Sequence, residues 1–315
     1  SLDLAGLGVG SAIFNTVWFL IAGVIFAVTP IIAQLYGAKK FTEIGIKIRE
    51  ILWIALLLGS MVCIVLFFMG DLLFLLPIDE SITSISGSYL KALSVGIIFM
   101  TIFTALRCYS EGMTLTRPVF YIAFLGMLLN IPLDIIFVYG YFGVPKLGGV
   151  GCGIATSLVS FLMMITLIIY IKISKNYKKT KPFNEITPPS INTTKEVFRL
   201  GTPIGMGIFI ELSMFSGAAL IIGILGETIV AGHYIALNIA SLFFMLPLSI
   251  GLAAATRVGN LVGENDKPRA KIASYSTIYL CILSSFVTCI TILLVRDHIV
   301  YLYSSDIAAI NIATG

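Results

Sequence analysis

Eight times along this chain an apolar run of about twenty residues or more recurs, and that recurrence leaves few folds open. The runs lie at about 8–36, 51–76, 91–112, 118–140, 152–172, 200–224, 230–256 and 271–295. Roughly 20 helical residues cover the ~30 Å hydrocarbon layer of a bilayer. Within that layer each backbone N–H and C=O needs a partner, which a helix supplies from its own segment. The charged fraction agrees: 11% of residues are Asp, Glu, Lys or Arg, against about 25% in soluble domains. The expectation is an all-α polytopic membrane protein, embedded in the lipid bilayer as a multi-pass protein of the cell (inner) membrane.

The loops orient the spans. Lys39, Lys40, Lys47, Arg49, Arg107, Arg117, Lys172, Lys175, Lys178, Lys179, Lys181, Lys195, Arg199, Arg257, Lys267, Arg269 and Lys271 fall on one side, and only Lys91, Lys146 and Arg296 on the other. Basic loops stay in the cytoplasm, so the first set is cytoplasmic. The longest connection on that side, 173–199, carries Pro182, Pro188 and Pro189 and divides the chain into lobes 1–172 and 200–315. A net charge of +4 spread over loops carries no nucleic-acid footprint. Cys63, Cys108, Cys152, Cys281 and Cys289 lack metal-ligand spacing and read as small packing residues. Gly201 with Gly205, and Gly259 with Gly263, have the spacing that lets membrane helices approach closely.

One acid breaks the apolar pattern. Glu211 stands near the middle of the run 200–224. A carboxylate at that depth costs several kcal/mol unless it meets a cavity or a partner, so it marks a functional site. The plainer alternative is a protonated acid that only packs. Two jobs suit it: carrying a proton, or holding a hard cation such as Na⁺ among other oxygen ligands.

The chain also repeats itself. Shifted by 226 residues, Gln34-Leu35-Tyr36-Gly37 falls on Asn260-Leu261-Val262-Gly263, each followed by a polar, lysine-bearing turn. Cys63 meets Cys289 and Asp71 meets Asp297 in the same register. Two like-oriented copies are a transporter plan, with a site expected at their interface near the midplane. The offset further predicts that helices are missing, one before Ser1 and three after Gly315, so that eight of twelve spans are present.

The stretch 105–158, ALRCYSEGMTLTRPVFYIAFLGMLLNIPLDIIFVYGYFGVPKLGGVGCGIATSL, resembles the multidrug and toxic compound extrusion (MATE) family, close to its NorM-like branch. So do FRLGTPIGMGIFIELSMF (198–215) and GHYIALNIASLFFMLPLSIGLAAATRVGNLVG (232–263). The resemblance implies a two-lobe bundle of twelve helices with a central cleft. It implies export of large, flat organic cations in exchange for Na⁺, chosen through the NorM-like likeness, or H⁺. Glu211 takes the position of the family's cation-binding acid on the first helix of the second lobe. Phe244 falls where relatives place an aromatic near that cation, and Tyr234 replaces a glutamine common in relatives. Asp134 stands where many relatives have asparagine.

Other residues join these as candidates for lining the substrate cleft. Phe209, Phe215, Phe243 and Phe244 offer ring faces to a planar cation, although each alone reads first as a lipid-facing or packing residue. Asn130 precedes Pro132 within a span, and Pro247 lies within another, where proline bends a helix. Asn238 and Asn15 read as interhelical hydrogen-bonding groups or as cleft residues. Arg107 and Glu111 are spaced as a helical ion pair, and His233 reads as structural. Gly149–Gly153 fails the spacing of a nucleotide loop and reads as a helix-opening turn.

The expectation is therefore a secondary antiporter acting as a monomer, without cofactor or catalytic residues. A lipid-linked saccharide flippase shares the two-lobe plan but would line its cleft with basic groups, whereas the deepest charge here is acidic. A membrane-embedded enzyme would need an HExxH motif, paired intramembrane aspartates or a serine–histidine set, and none is present. A channel would form its pore by oligomerisation.

Overall fold

The structure is a computed structural model and describes residues 2–75, 79–223 and 227–303. Among these, nine helices account for nearly all of the chain: α1 (Leu2–Phe26), α2 (Val28–Gly37), α3 (Phe41–Leu72), α4 (Glu80–Gly112), α5 (Thr116–Tyr139), α6 (Gly149–Ile173), α7 (Ile191–Gly223), α8 (Glu227–Gly263) and α9 (Lys267–Tyr303). They provide eight spans long and apolar enough to cross a membrane, with α1 and α2 sharing the first, Gly6–Gly37. That first span is broken at Ala27, three residues before Pro30. A proline ring lacks the N–H of a helical bond and crowds the preceding turn, so the break has a local cause that uniform hydropathy hides. Conversely, α5, α7 and α8 run on through Pro132, Pro203 and Pro247.

The chain forms two compact units, Ser1–Phe209 and Ile210–Gly315. In the first, α4 is central and packs against α1, α2, α3 and α6, while α5 packs on α6. Leu90, Leu93, Ile97, Ala105 and Leu106 of α4 are fully enclosed. Its polar first turns, ESITSISGSYL, lie upstream of the apolar run that hydropathy detects at 91–112. They are helical because Asp79 caps them, accepting from the Ser81 N–H at 2.8 Å. They pack because their residues are small: a Cβ on Gly87 would lie 3.1 Å from the Gly70 Cα of α3. Hydroxyls join the helices, with Ser86 donating to the Gly6 carbonyl and Ser157 to that of Ala92, both at 2.8 Å. Gly201 and Gly205 of α7 face the backbone of α1 at Val24 and Leu20, so this small-residue pair is a close helix crossing. The opposite faces are apolar and open, as at Phe120, Tyr121, Phe124 and Leu125 of α5, which suits contact with lipid.

In the second unit α8 and α9 pack side by side. Their junction reproduces the α2–α3 junction bond for bond. Ala38, Lys39 and Lys40 donate to the carbonyls of Gln34, Tyr36 and Leu35, and Glu264, Asn265 and Asp266 donate to those of Asn260, Val262 and Leu261. Lys39 (φ 57°) and Asn265 (φ 61°) occupy the left-handed position of this helix-ending motif. The 226-residue repeat of the sequence is thus also a repeat of backbone hydrogen bonding.

Candidate functional site

Glu211 lies on α7 inside the span Ile191–Phe215, and its side chain is exposed. The ion pairs among the described residues are Lys40–Glu43, Lys47–Glu196, Arg49–Glu185, Lys91–Asp71, Arg107–Glu111 and Arg269–Asp266. Glu211 is in none of them. A carboxylate within a span and without an ion-pair partner among the described residues is chemically open to an oxygen-seeking cation or to a proton.

One helical turn further on, at i+4 and hence on the same face of α7, Phe215 lines a cavity of about 340 Å³. Leu237, Asn238, Ala240, Ser241 and Phe244 of α8 complete its walls. The Asn238 amide N–H donates to the Tyr234 carbonyl at 2.9 Å, which leaves the amide oxygen as an acceptor. Ser241 donates to the Asn238 carbonyl at 2.9 Å, so its oxygen lone pairs are also available. Two aromatic rings with an amide and a hydroxyl oxygen form a surface suited to a flat cation. Phe244 also borders a second cavity, of about 300 Å³, with Phe243 and Pro247 of α8 and Ser285, Thr288 and Cys289 of α9. Tyr234 is exposed and lies outside both linings; its backbone, rather than its ring, serves the site by anchoring Asn238.

Asn130 and Asp134 belong to the first unit, one turn apart on α5, and both are half-buried. One Asp134 carboxylate oxygen is enclosed and has no hydrogen-bond partner. Buried polar atoms are nearly always paired, so such an oxygen calls for an explanation such as an unseen water, ion or proton. Tyr89 of α4 and Cys152 of α6 lie within the electrostatic reach of this carboxylate. The structure therefore gathers Phe215, Asn238 and Phe244 into one cavity, adds Phe243 beside it, and places Asn130 and Asp134 in a separate cluster. Ser241 was not among the sequence candidates, although its i+3 spacing from Asn238 is a usable signal. No local signal links Tyr89 or Cys152 to Asp134.

Comparison with known proteins bears on what these clusters serve. The profile of the family MatE matches residues 1–136 and 203–315. The chain is 35% identical over 311 residues to the multidrug resistance protein NorM of Photobacterium profundum, covering 99% of this chain and 68% of that protein. Among solved structures, a MATE transporter in the straight conformation superposes with a TM-score of 0.86 at 21% identity, over all of this chain and 69% of its own. The MATE transporter NorM-NG in complex with R6G and a monobody gives 0.77 at 30% identity, over 98% of this chain and 65% of its own.

Proposed function

We propose that this chain, which belongs to the MatE family of membrane transporters, is a multidrug efflux antiporter that expels organic cations in exchange for Na⁺ or H⁺. The observation that carries the reading is the carboxylate of Glu211, within a span, in no ion pair among the described residues, and one turn from an aromatic-walled cavity. The names of its relatives support it, and so does the R6G held by NorM-NG, which is 30% identical. Lobes 1–172 and 200–315, joined by 173–199, are the working parts, acting as a monomer without a cofactor.

In this mechanism Glu211 takes up Na⁺, or a proton, from outside. Phe215 and Phe244 receive the flat face of the exported cation, and Asn238 and Ser241 satisfy its polar edge. Two positive guests near one carboxylate oppose each other, and each lowers the affinity of the other by the same factor. That reciprocity turns inward movement of the small cation into release of the large one. One Na⁺ or H⁺ exchanged for a singly charged organic cation moves no net charge, so the drive of such a 1:1 exchange is the gradient of the small cation, about 1.4 kcal/mol per tenfold difference in concentration, and each additional inward charge adds about 2.3 kcal/mol per 100 mV. Asp134 offers a further acid to the substrate cleft, its enclosed oxygen being without a hydrogen-bond partner among the described residues.

The full chain is reconstituted into vesicles loaded with a fluorescent organic cation, and Na⁺ and H⁺ gradients are imposed separately. One of the two gradients is expected to accelerate efflux, and Glu211→Gln to abolish that acceleration. Efflux indifferent to both gradients, or full acceleration in Glu211→Gln, overturns the assignment.

A further inference from the structure

Beyond the transport reading, we propose that the connection after α6 carries a binding site for the phosphate of an anionic phospholipid in the cytoplasmic leaflet. The site is a cavity of about 300 Å³ lined by Ile171 and Lys172 of α6 and by Ser174, Tyr177, Lys178, Lys181, Pro182, Phe183 and Asn184. Three lysines face it and no carboxylate does. None of the three belongs to an ion pair among the described residues. The nearest acid in the connection, Glu185, is already engaged by the Arg49 guanidinium at 3.5 Å. The cavity therefore holds concentrated positive charge that no ion pair among the described residues compensates.

The backbone fixes this arrangement. Ser174 accepts from the Asn176 N–H and so opens the single 3₁₀ turn Lys175–Tyr177. Tyr177 and Pro182 are buried and form a firm floor. Lys181 is held at φ 47°, a conformation rarely adopted by a residue with a side chain, while its carbonyl accepts from Arg49 at 3.1 Å. The Lys172 ammonium stands 5.7 Å from the centroid of the Phe183 ring.

Two features favour a lipid over free phosphate. The cavity begins where the span Gly149–Ile173 ends, on the lysine-rich side, which places it at the depth of the headgroups. Its walls also include Ile171, Pro182 and Phe183, and the adjoining residues Ile169, Tyr170 and Ile173 are exposed and apolar. A phosphate with an acyl chain satisfies both the lysines and these surfaces, whereas inorganic phosphate uses only the former.

The test measures binding of fluorescent phosphatidylglycerol and phosphatidylcholine to the full chain in detergent. Phosphatidylglycerol is expected to bind preferentially. A lysine near a charged surface contributes about fivefold, so Lys172→Gln, Lys178→Gln and Lys181→Gln together should reduce that preference by about tenfold or more. The matching arginine substitutions should keep it, and so should a charge-matched control with Lys175→Gln, Lys267→Gln and Lys271→Gln. Equal binding of the two lipids, persistence of the preference in the triple glutamine variant, or an equal loss in the control overturns the site. Displacement of phosphatidylglycerol by millimolar inorganic phosphate overturns the lipid as its occupant and assigns the lysines to a free anion.

Discussion

The connection between α6 and α7 offers a sharp energetic test, because one buried side chain, Tyr177, is central to its docking on α4. Tyr177 is 1% exposed, and its hydroxyl donates to Ser110 of α4 at 2.9 Å. Its ring lies 5.5 Å from that of Tyr109, whose own hydroxyl shares a 2.6 Å hydrogen bond with Thr180. Thr180 in turn donates to the Tyr177 carbonyl at 2.9 Å. Tyr177→Ala removes most of about 200 Å² of buried surface, which at about 25 cal/mol per Å² corresponds to about 4 kcal/mol. Tyr177→Phe keeps the ring and loses one neutral hydrogen bond, about 1 kcal/mol. At 1.4 kcal/mol per factor of ten, the undocked population should rise about a thousandfold for alanine and about fivefold for phenylalanine.

Proteolysis measures that population when reclosing is faster than cleavage. Trypsin cutting at Lys178 and Lys179 in the folded, detergent-solubilised chain is the assay, with rates normalised to an unfolded peptide. Equal rates for the two variants, or an increase below about tenfold for alanine, would show that the connection is already open and the reasoning wrong. The same assay has a pH signature. Burial pushes the Tyr177 phenol above its usual value, partly offset by its bond to Ser110. A tyrosine is neutral while protonated, so its docking contribution is intact below the ordinary value near 10 and is lost as pH rises through the higher folded value. Protection should be flat from about pH 6 to about pH 9, fall at higher pH, and fall less in Tyr177→Phe.

Two further outcomes are expected. Thr193 donates to the buried Glu50 carboxylate and accepts from the Lys47 ammonium at 2.9 Å. Thr193→Val leaves that acid without its donor, at about 2 kcal/mol. Combined with Glu50→Gln it should cost less than the sum of the two changes, read as a double-mutant cycle in denaturant unfolding. Thr114, a β-branched residue at φ 64°, ends α4 in the left-handed conformation. Thr114→Gly should therefore stabilise by about 1 kcal/mol and raise the thermal midpoint, whereas Asn265→Gly should gain less, since asparagine tolerates that conformation.

How much the sequence revealed follows from the range of each interaction. A membrane span is a local property of some twenty residues, so the apolar runs mark all eight spans. The break at Ala27 and the polar opening of α4 depend on a proline and a cap, single residues within long windows, and hydropathy averages them away. The repeat is visible in Gln34–Gly37 and Asn260–Gly263. Its backbone motif is not, since Lys39 and Asn265 share a conformation and no chemistry. The connection 173–199 reads as a solvated, proline-bearing linker. Yet Tyr177, Thr180 and Pro182 are buried, because docking by short turns leaves no hydrophobic period to detect, and Thr193 is buried because α7 already begins at Ile191, upstream of its apolar run.

The same distinction separates the acids. Glu43, Glu111, Glu185 and Glu196 each face a basic side chain, and Glu50 accepts from Thr193. At the water-facing ends of helices such pairs form readily and contribute about 0–1 kcal/mol, so their presence says little about function. Glu211 and Asp134 lie within spans, where an unpartnered carboxylate is worth several kcal/mol of destabilisation and where a permanent lysine or arginine partner would relieve it. Neither faces one among the described residues. A permanent partner would also fill the position a transported cation has to occupy and vacate. Under the proposed exchange, the lack of a permanent partner is what a site whose counterion comes and goes requires, and that lack was legible for Glu211 because an acid in an apolar run needs no fold to be conspicuous. For Asp134 it was not, because the enclosure of its oxygen depends on how α5 sits among its neighbours, which no local pattern encodes.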